Sequence, residues 1–383
     1  MTKNFVALTW RSDEKIFEDK CRGMLAEADI RVDGDRDWDV LVHDPRFFKR
    51  IVLEGSLGLG ESYMEGWWDC ARLDEFFHRI FSAKLYEKVS SANTLLLDVL
   101  ARFLNLQSKH RAWEVARRHY DIGNDLYEGM LDSRMVYSCA YWKDASNLEQ
   151  AQEAKLDLIC RKLGLRPGMR LLDIGCGWGG LAKFAAERYG ASVVGITISE
   201  EQCRLATERC QGLPVEFRLQ DYREIDEKFD RIASVGMFEH VGYKNYRAFM
   251  KVADRCLGEN GIFLLHTIGN NQSVVRIDEW IHKYIFPNSM LPSARQISEA
   301  SENIFVLEDW HNFGTDYDKT LMAWYDNFCQ NWGRLNRKYD SRFYRMWTYY
   351  LLACAAEFRS RGSQVWQIVF SKRGTQSAYA SVR

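Results

Sequence analysis

Residues 171–180 read Leu171-Leu172-Asp173-Ile174-Gly175-Cys176-Gly177-Trp178-Gly179-Gly180, an apolar strand that stops in a glycine turn and is followed by the helix-like stretch Leu181 to Arg188. Glycines at 175 and 177 can take backbone conformations closed to other residues and let a ligand approach the main chain. Asp173 supplies a hydrogen-bond acceptor at the strand end. One helix later comes Val193-Val194-Gly195-Ile196-Thr197-Ile198-Ser199, so strand, loop, helix and strand arrive in βαβ order. The turn is not the dinucleotide fingerprint G-x-G-x-x-G, because its third glycine falls two residues after the second.

The alternation extends in both directions. The pattern predicts helix 147–164, strand 169–174, helix 178–189, strand 191–197, helix 199–211, strands 214–219 and 229–236, helix 243–257 and strand 261–267. An aromatic insertion (270–300), a strand near 304–310, helices at roughly 316–335 and 340–361, and a last strand, Val365 to Phe370, follow. This is an α/β chain with a doubly wound sheet, whose ligands are expected at the carboxyl ends of the strands. The pattern D-x-G-x-G-x-G resembles motif I of S-adenosylmethionine-dependent methyltransferases, and the resemblance implies a Rossmann-like class I sheet with the cofactor at Asp173, Gly175 and Gly177. Many adenosyl-binding folds end their second strand in an acid that holds the ribose. Here Thr197, Ser199 and Gln202 could supply those hydrogen bonds instead, and Asp221 and Tyr222, after the third strand, are placed to meet the adenine.

A chain of 383 residues suits two domains better than one. The expected division is a small helical module at 1–90, a linker at 91–112 and a catalytic domain at 113–383. Within the module, the glycines of Glu54–Asp69 are too irregular for a phosphate loop. The ten cysteines include no C-x-x-C pair, and no paired histidine spacing accompanies them, so no metal site is expected. The N-terminus lacks the apolar core of a signal peptide and no run of about 18 apolar residues occurs. The expectation is a cytoplasmic protein whose membrane contact is peripheral.

The net charge of −1 hides an asymmetry. Residues 1–74 carry 11 Lys plus Arg against 16 Asp plus Glu, whereas residues 75–120 carry 8 against 4. That second stretch is amphipathic, with Leu95, Leu96, Leu97, Val99, Leu100, Phe103 and Leu104 on one side and Arg102, Lys109, Arg111, Arg117 and Arg118 around it. It suits either a solvated connecting helix or a surface that meets anionic head groups. Nothing points to nucleic acid.

Ordered blocks across nearly the whole chain resemble the family of bacterial cyclopropane-fatty-acyl-phospholipid and mycolic acid cyclopropane synthases. They include Pro45-Arg46-Phe47-Phe48-Lys49-Arg50, Gly55 to Tyr63, His119-Tyr120-Asp121-Ile122-Gly123-Asn124, Tyr137-Ser138-Cys139-Ala140-Tyr141-Trp142, Gly236-Met237-Phe238-Glu239-His240-Val241-Gly242, His266-Thr267-Ile268-Gly269 and Tyr284-Ile285-Phe286-Pro287. The resemblance implies methylene transfer from S-adenosylmethionine to the cis double bond of an acyl chain in a membrane phospholipid. Attack on the sulfonium methyl leaves a carbocation, and a base must take a proton from the transferred methyl before water reaches the cation.

The family uses bound bicarbonate as that base. By motif, Cys139, Glu239, His266 and Tyr317 would hold it, with the backbone of Ile268 contributing. Tyr137 and Ser138 join the cofactor residues. Cys354 is associated with activity in the family, although its apolar helix face also suits a structural thiol. Two other readings stay open: a lipid C-methyltransferase giving a methyl-branched or methylene product, or a non-catalytic S-adenosylmethionine-dependent lipid-binding protein. The partner implied is a phospholipid bilayer at the inner face of the membrane, and a homodimer stays open.

Overall fold

The computed structural model describes residues 2–87, 123–275, 277–375 and 378–383. The expected linker 91–112 and the basic residues Lys109, Arg111, Arg117 and Arg118 lie outside the described residues.

The N-terminal part contains α1 (Thr2–Glu27), β1 (Leu41–Val42), α2 (Arg46–Met64), β2 (Trp68–Asp69) and α3 (Leu73–Ser82). Short helical patterns are what the sequence suggests here, but α1 alone has 26 residues. The glycine-rich block is mostly helix: α2 runs through it and kinks at Gly55 (φ 58°, ψ −132°), a conformation that needs glycine.

The remaining elements are α4 (Asn124–Met130), α5 (Leu148–Lys162), β3 (Arg170–Ile174), α6 (Gly180–Tyr189), β4 (Ser192–Thr197), α7 (Glu200–Arg209), β5 (Val215–Leu219), β6 (Phe229–Val235), α8 (Tyr246–Cys256), β7 (Leu257–Asn270), α9 (Glu279–Tyr284), α10 (Ala294–Ser301), β8 (Phe305–Asn312), α11 (Asp316–Leu335), α12 (Ser341–Arg359) and β9 (Ser363–Lys372). Among the described residues they form one large sheet of order β5-β4-β3-β6-β7-β9-β8. The first five strands are parallel, and β9 runs antiparallel to both β7 and β8. Strands buried on both faces read as continuous apolar runs, which is why Leu171, Leu172 and Ile174 are inaccessible. The β7 strand is longer than the expected 261–267 because β9 pairs with it as far as Asn270↔Ser363.

Side-chain caps fix where the helices begin. Asn147 accepts from the Gln150 N–H at 3.0 Å to start α5, and Asp340 accepts from the Phe343 N–H at 2.7 Å to start α12. Gly190, left-handed at φ 63°, ends α6.

The N-terminal elements share one apolar core with α11 and α12. Tyr349 on α12 meets the rings of Tyr63 (5.8 Å), Phe77 (4.9 Å) and Trp280 (4.4 Å). Ion pairs close the rim. Arg345 reaches Asp69 at 2.7 Å, and Arg359 joins Asp74 of α3 (2.9 Å) to Asp318 of α11 (3.0 Å). Glu61 of α2 accepts from Lys283 (2.5 Å) and Tyr284 (2.7 Å).

Candidate active site

A cleft of about 1070 Å³, partly open to solvent, lies at the carboxyl ends of β3, β6 and β7, where a doubly wound sheet places its ligands. Its walls bring together Tyr137, Ser138, Cys139, Asp173, Gly175, Gly177, Gln202, Glu239, His266, Ile268 and Tyr317.

On the cofactor side, Gly175 (φ 82°) and Gly177 (φ 53°) both sit in the left-handed region. A Cβ on Gly175 would strike Met237 Cγ at 2.6 Å, whereas one on Gly177 would meet nothing within 4 Å. Gly177 therefore faces open cleft. Asp173 ends β3 with Oδ2 buried and unpartnered among the described residues, and burial pushes its carboxyl up to about 7. Tyr137 shares a 2.8 Å hydrogen bond with the Tyr350 hydroxyl and lies 5.1 Å from the Trp324 ring.

Gln202 reaches the wall, while Thr197 and Ser199 stand behind it. The Thr197 hydroxyl donates to Gln202 Oε1 at 2.9 Å, and Ser199 Oγ accepts from the Gln202 N–H at 3.3 Å as the cap of α7. Asp221 and Tyr222 are not among the lining residues. Asp221 is engaged with Arg223, accepting from its N–H at 2.9 Å and from its guanidinium at 3.2 Å. The Tyr222 ring packs on Phe249 at 5.2 Å.

Beside the glycine turn, a 3-10 turn after the neighbouring strand β6 carries Glu239. Its Oε1 accepts from the Ile268 N–H at 2.6 Å, and its Oε2 is buried without a partner among the described residues. Burial pushes this carboxyl up to about 7. His266 on β7 is 3.3 Å from Gln367 Nε2 through Nδ1, and burial holds it well below its ordinary value, so the ring is neutral. Burial likewise raises Cys139 and Tyr317 well above theirs, keeping a thiol and a phenol. Cys139 Sγ donates to the Ala140 carbonyl at 3.2 Å. Tyr317 sits between Phe358 (4.7 Å) and Trp324 (5.8 Å). Cys354 is half-buried on α12, outside the lining residues, with its thiol raised by burial.

Among the lining residues that the sequence reading of the site leaves out are His240 and Lys155. His240, pushed down to about 4 by burial, lies 6.1 Å from the Phe286 ring. Lys155 is fully buried. The available signal for Lys155 is its place in the stripe Leu148, Ala151, Gln152, Lys155, Ile159, which the helical period puts on one inward face of α5.

The mostly parallel sheet, with its glycine turn and a buried acid on one cleft, defines a class I S-adenosylmethionine-dependent methyltransferase. The unpartnered Asp173 and Glu239 oxygens and the open space at Gly177 fit a polar ligand pressed against the turn. The chain belongs to the mycolic acid cyclopropane synthetase family, whose model matches residues 107–368. It is 57% identical over 361 residues, 94% of each chain, to the cyclopropane-fatty-acyl-phospholipid synthase of Escherichia coli K12. It is 38% identical to a probable fatty acid methyltransferase of Pseudomonas putida, over 87% of this chain and 86% of that one. The crystal structure of mycolic acid cyclopropane synthase CmaA1 complexed with SAH and CTAB superposes with a TM-score of 0.65 at 34% identity, covering 68% of this chain and 98% of that one.

Proposed function

We propose that the protein transfers a methylene group from S-adenosylmethionine to the cis double bond of an unsaturated acyl chain in a membrane phospholipid, producing a cyclopropane. The observation that carries this reading is Glu239: a buried carboxyl with one oxygen unpartnered among the described residues, on the same cleft as the glycine turn, His266 and Tyr317. S-adenosylmethionine, when bound, supplies an electrophilic methyl group on a sulfonium. The chain supplies Gly175, Gly177 and Gln202 to receive it, and the aromatic faces of Tyr137 and Tyr317, which line the cleft, to shelter a cationic acyl carbon, at ~0.5–2 kcal/mol per face.

Deprotonation needs a base in the same cleft. Cys139, His266 and Tyr317 are all neutral hydrogen-bonding groups, so a small anion held by these three meets no charge from them. Bicarbonate fits that set. Held there, it would take the proton released by the transferred methyl, while the Glu239 carboxylate would accept a hydrogen bond from its hydroxyl and orient it; the Ile268 N–H fixes Glu239 itself. Mass spectrometry of vesicles containing cis-monounsaturated phospholipids, incubated with the protein and S-adenosylmethionine, should show a gain of one CH2 with loss of the olefin. A CH2 gain with the olefin retained would assign a methylene product and overturn the cyclopropane.

Among the described residues no helix is long and apolar enough to cross a membrane. We extend the proposal to a division of labour in which residues 1–90 dock on the bilayer, 91–112 link, and 113–383 catalyse. The basic stretch 75–118 adds attraction to anionic lipid, about 1 kcal/mol per cation near the surface and screened within about 8–10 Å. Replacing Lys109, Arg111, Arg117 and Arg118 by Gln should reduce co-sedimentation with anionic vesicles at low salt and leave S-adenosylmethionine affinity nearly unchanged. Undiminished co-sedimentation would move docking to apolar or aromatic surfaces.

A further inference from the structure

The strap from Asp132 to Cys139 carries the candidate cofactor residues Tyr137 and Ser138 and the candidate base residue Cys139. Two fully buried polar residues of α5, three positions apart and so on one helix face, hold it from beneath. Gln152 Nε2 donates to the carbonyls of Val136 (3.2 Å) and Ser138 (3.0 Å). Lys155 Nζ donates to Ser138 Oγ at 2.8 Å.

A clamp alone does not require a cation, since Gln152 does the same work with a neutral amide. Burying an ammonium costs several kcal/mol unless something charged compensates it. Asp132, one of the acids whose field favours the ammonium, already spends its oxygens on the Val136 N–H (2.9 Å) and the Arg134 N–H (3.0 Å). Asp173, the other, ends β3 beside the glycine turn. Among the described residues neither closes an ion pair with Lys155, and Lys155 itself lines the cleft. Because Ser138 Oγ accepts from the ammonium, its own proton is free to be donated, and a hydroxyl polarised in this way is a strengthened donor to an anion.

We infer that Lys155, acting through and beside Ser138, forms the subsite for the carboxylate of the amino-acid moiety of S-adenosylmethionine. The inference rests on the cofactor reading above. A planar oxyanion is the shared chemistry, and bicarbonate near Cys139 is the other source of one. The position of Lys155 next to Asp173 and the glycine turn favours the cofactor, whose carboxylate is its sole anionic group.

Calorimetry on the full chain with S-adenosylhomocysteine and with 5′-methylthioadenosine, which keeps the adenosine and the sulfur but lacks the amino-acid moiety, separates these roles. Lys155→Met should weaken S-adenosylhomocysteine by at least about tenfold and leave 5′-methylthioadenosine unchanged. Lys155→Arg should restore much of the difference. Ser138→Ala should show the same selective loss, and it carries the test if Lys155→Met does not fold. Equal losses for both ligands would reduce Lys155 to a strap clamp and overturn the subsite. An intact preference with an altered bicarbonate dependence of turnover would overturn it in favour of the base site. Failure of the parent protein to bind either ligand would instead bring down the cofactor reading and the subsite with it.

Discussion

Glu239→Gln is expected to lower turnover by on the order of 10²–10⁴ while leaving S-adenosylmethionine affinity nearly unchanged. The carboxyl is assigned to the base and the glycine turn to the cofactor, two different parts of one cleft. The amide can still accept from the Ile268 N–H, so the local fold has no reason to move. It cannot become the carboxylate that orients the base, and that capacity is what the change removes.

Stability should move the other way. A carboxyl raised from 4.5 to about 7 in the folded protein binds its proton more tightly folded than unfolded. Its contribution is therefore fully present below pH 4.5 and is lost as the pH climbs to 7. By pH 8 the cost of ionising it in the fold is about 3 kcal/mol, which the neutral amide avoids. The Gln variant should thus melt higher than the parent at pH 8 and close to it at pH 4. Circular dichroism melts at the two pH values, with steady-state rates and calorimetry, check all three expectations. A loss of cofactor affinity equal to the loss of rate would contradict the division of the cleft into two parts.

The elements that proved legible in the sequence are those whose signal is local. The strand at 170–174, its turn and the helix that follows are written in consecutive residues, and a parallel sheet buried on both faces leaves short apolar runs that the flanking glycine turn marks as strand. The antiparallel end of the sheet was legible from shorter signals, the apolar Phe305-Val306-Leu307 that opens β8 and the largely apolar stretch Val365 to Phe370 inside β9. Residues 2–27 gave no such signal, and the length of α1 was missed.

In the site, the residues on the ends of β3, β6 and β7 followed from topology together with family resemblance. Asp221 carries two readings: its place after β5 suggests a contact with the adenine, and its carboxylate also caps the following turn and pairs with Arg223, as Asp residues often do. Lys155 was missed because a lysine inside a helical pattern ordinarily snorkels to solvent. Here the strap, which comes from earlier in the chain, covers it, and no local pattern announces that cover.

Gly177→Val is expected to reverse the behaviour of the Glu239 variant, abolishing cofactor binding before it abolishes folding. Gly177 is at φ 53°, where a residue with a Cβ loses roughly 1–2 kcal/mol and a β-branched one more. That strain lowers the melting temperature without preventing folding, because a Cβ there meets no protein atom within 4 Å. The new methyl groups instead stand in the cleft, on the surface where the main chain must approach the ligand. Affinity for S-adenosylmethionine in calorimetry should fall by at least about 100-fold, near 2.7 kcal/mol. Gly175→Ala supplies the contrast, since its Cβ would run into Met237 at 2.6 Å, so its principal effect should be on the melting temperature. Unchanged affinity in folded Gly177→Val would mean that the turn serves the fold alone and that the ligand approaches from another wall of the cleft.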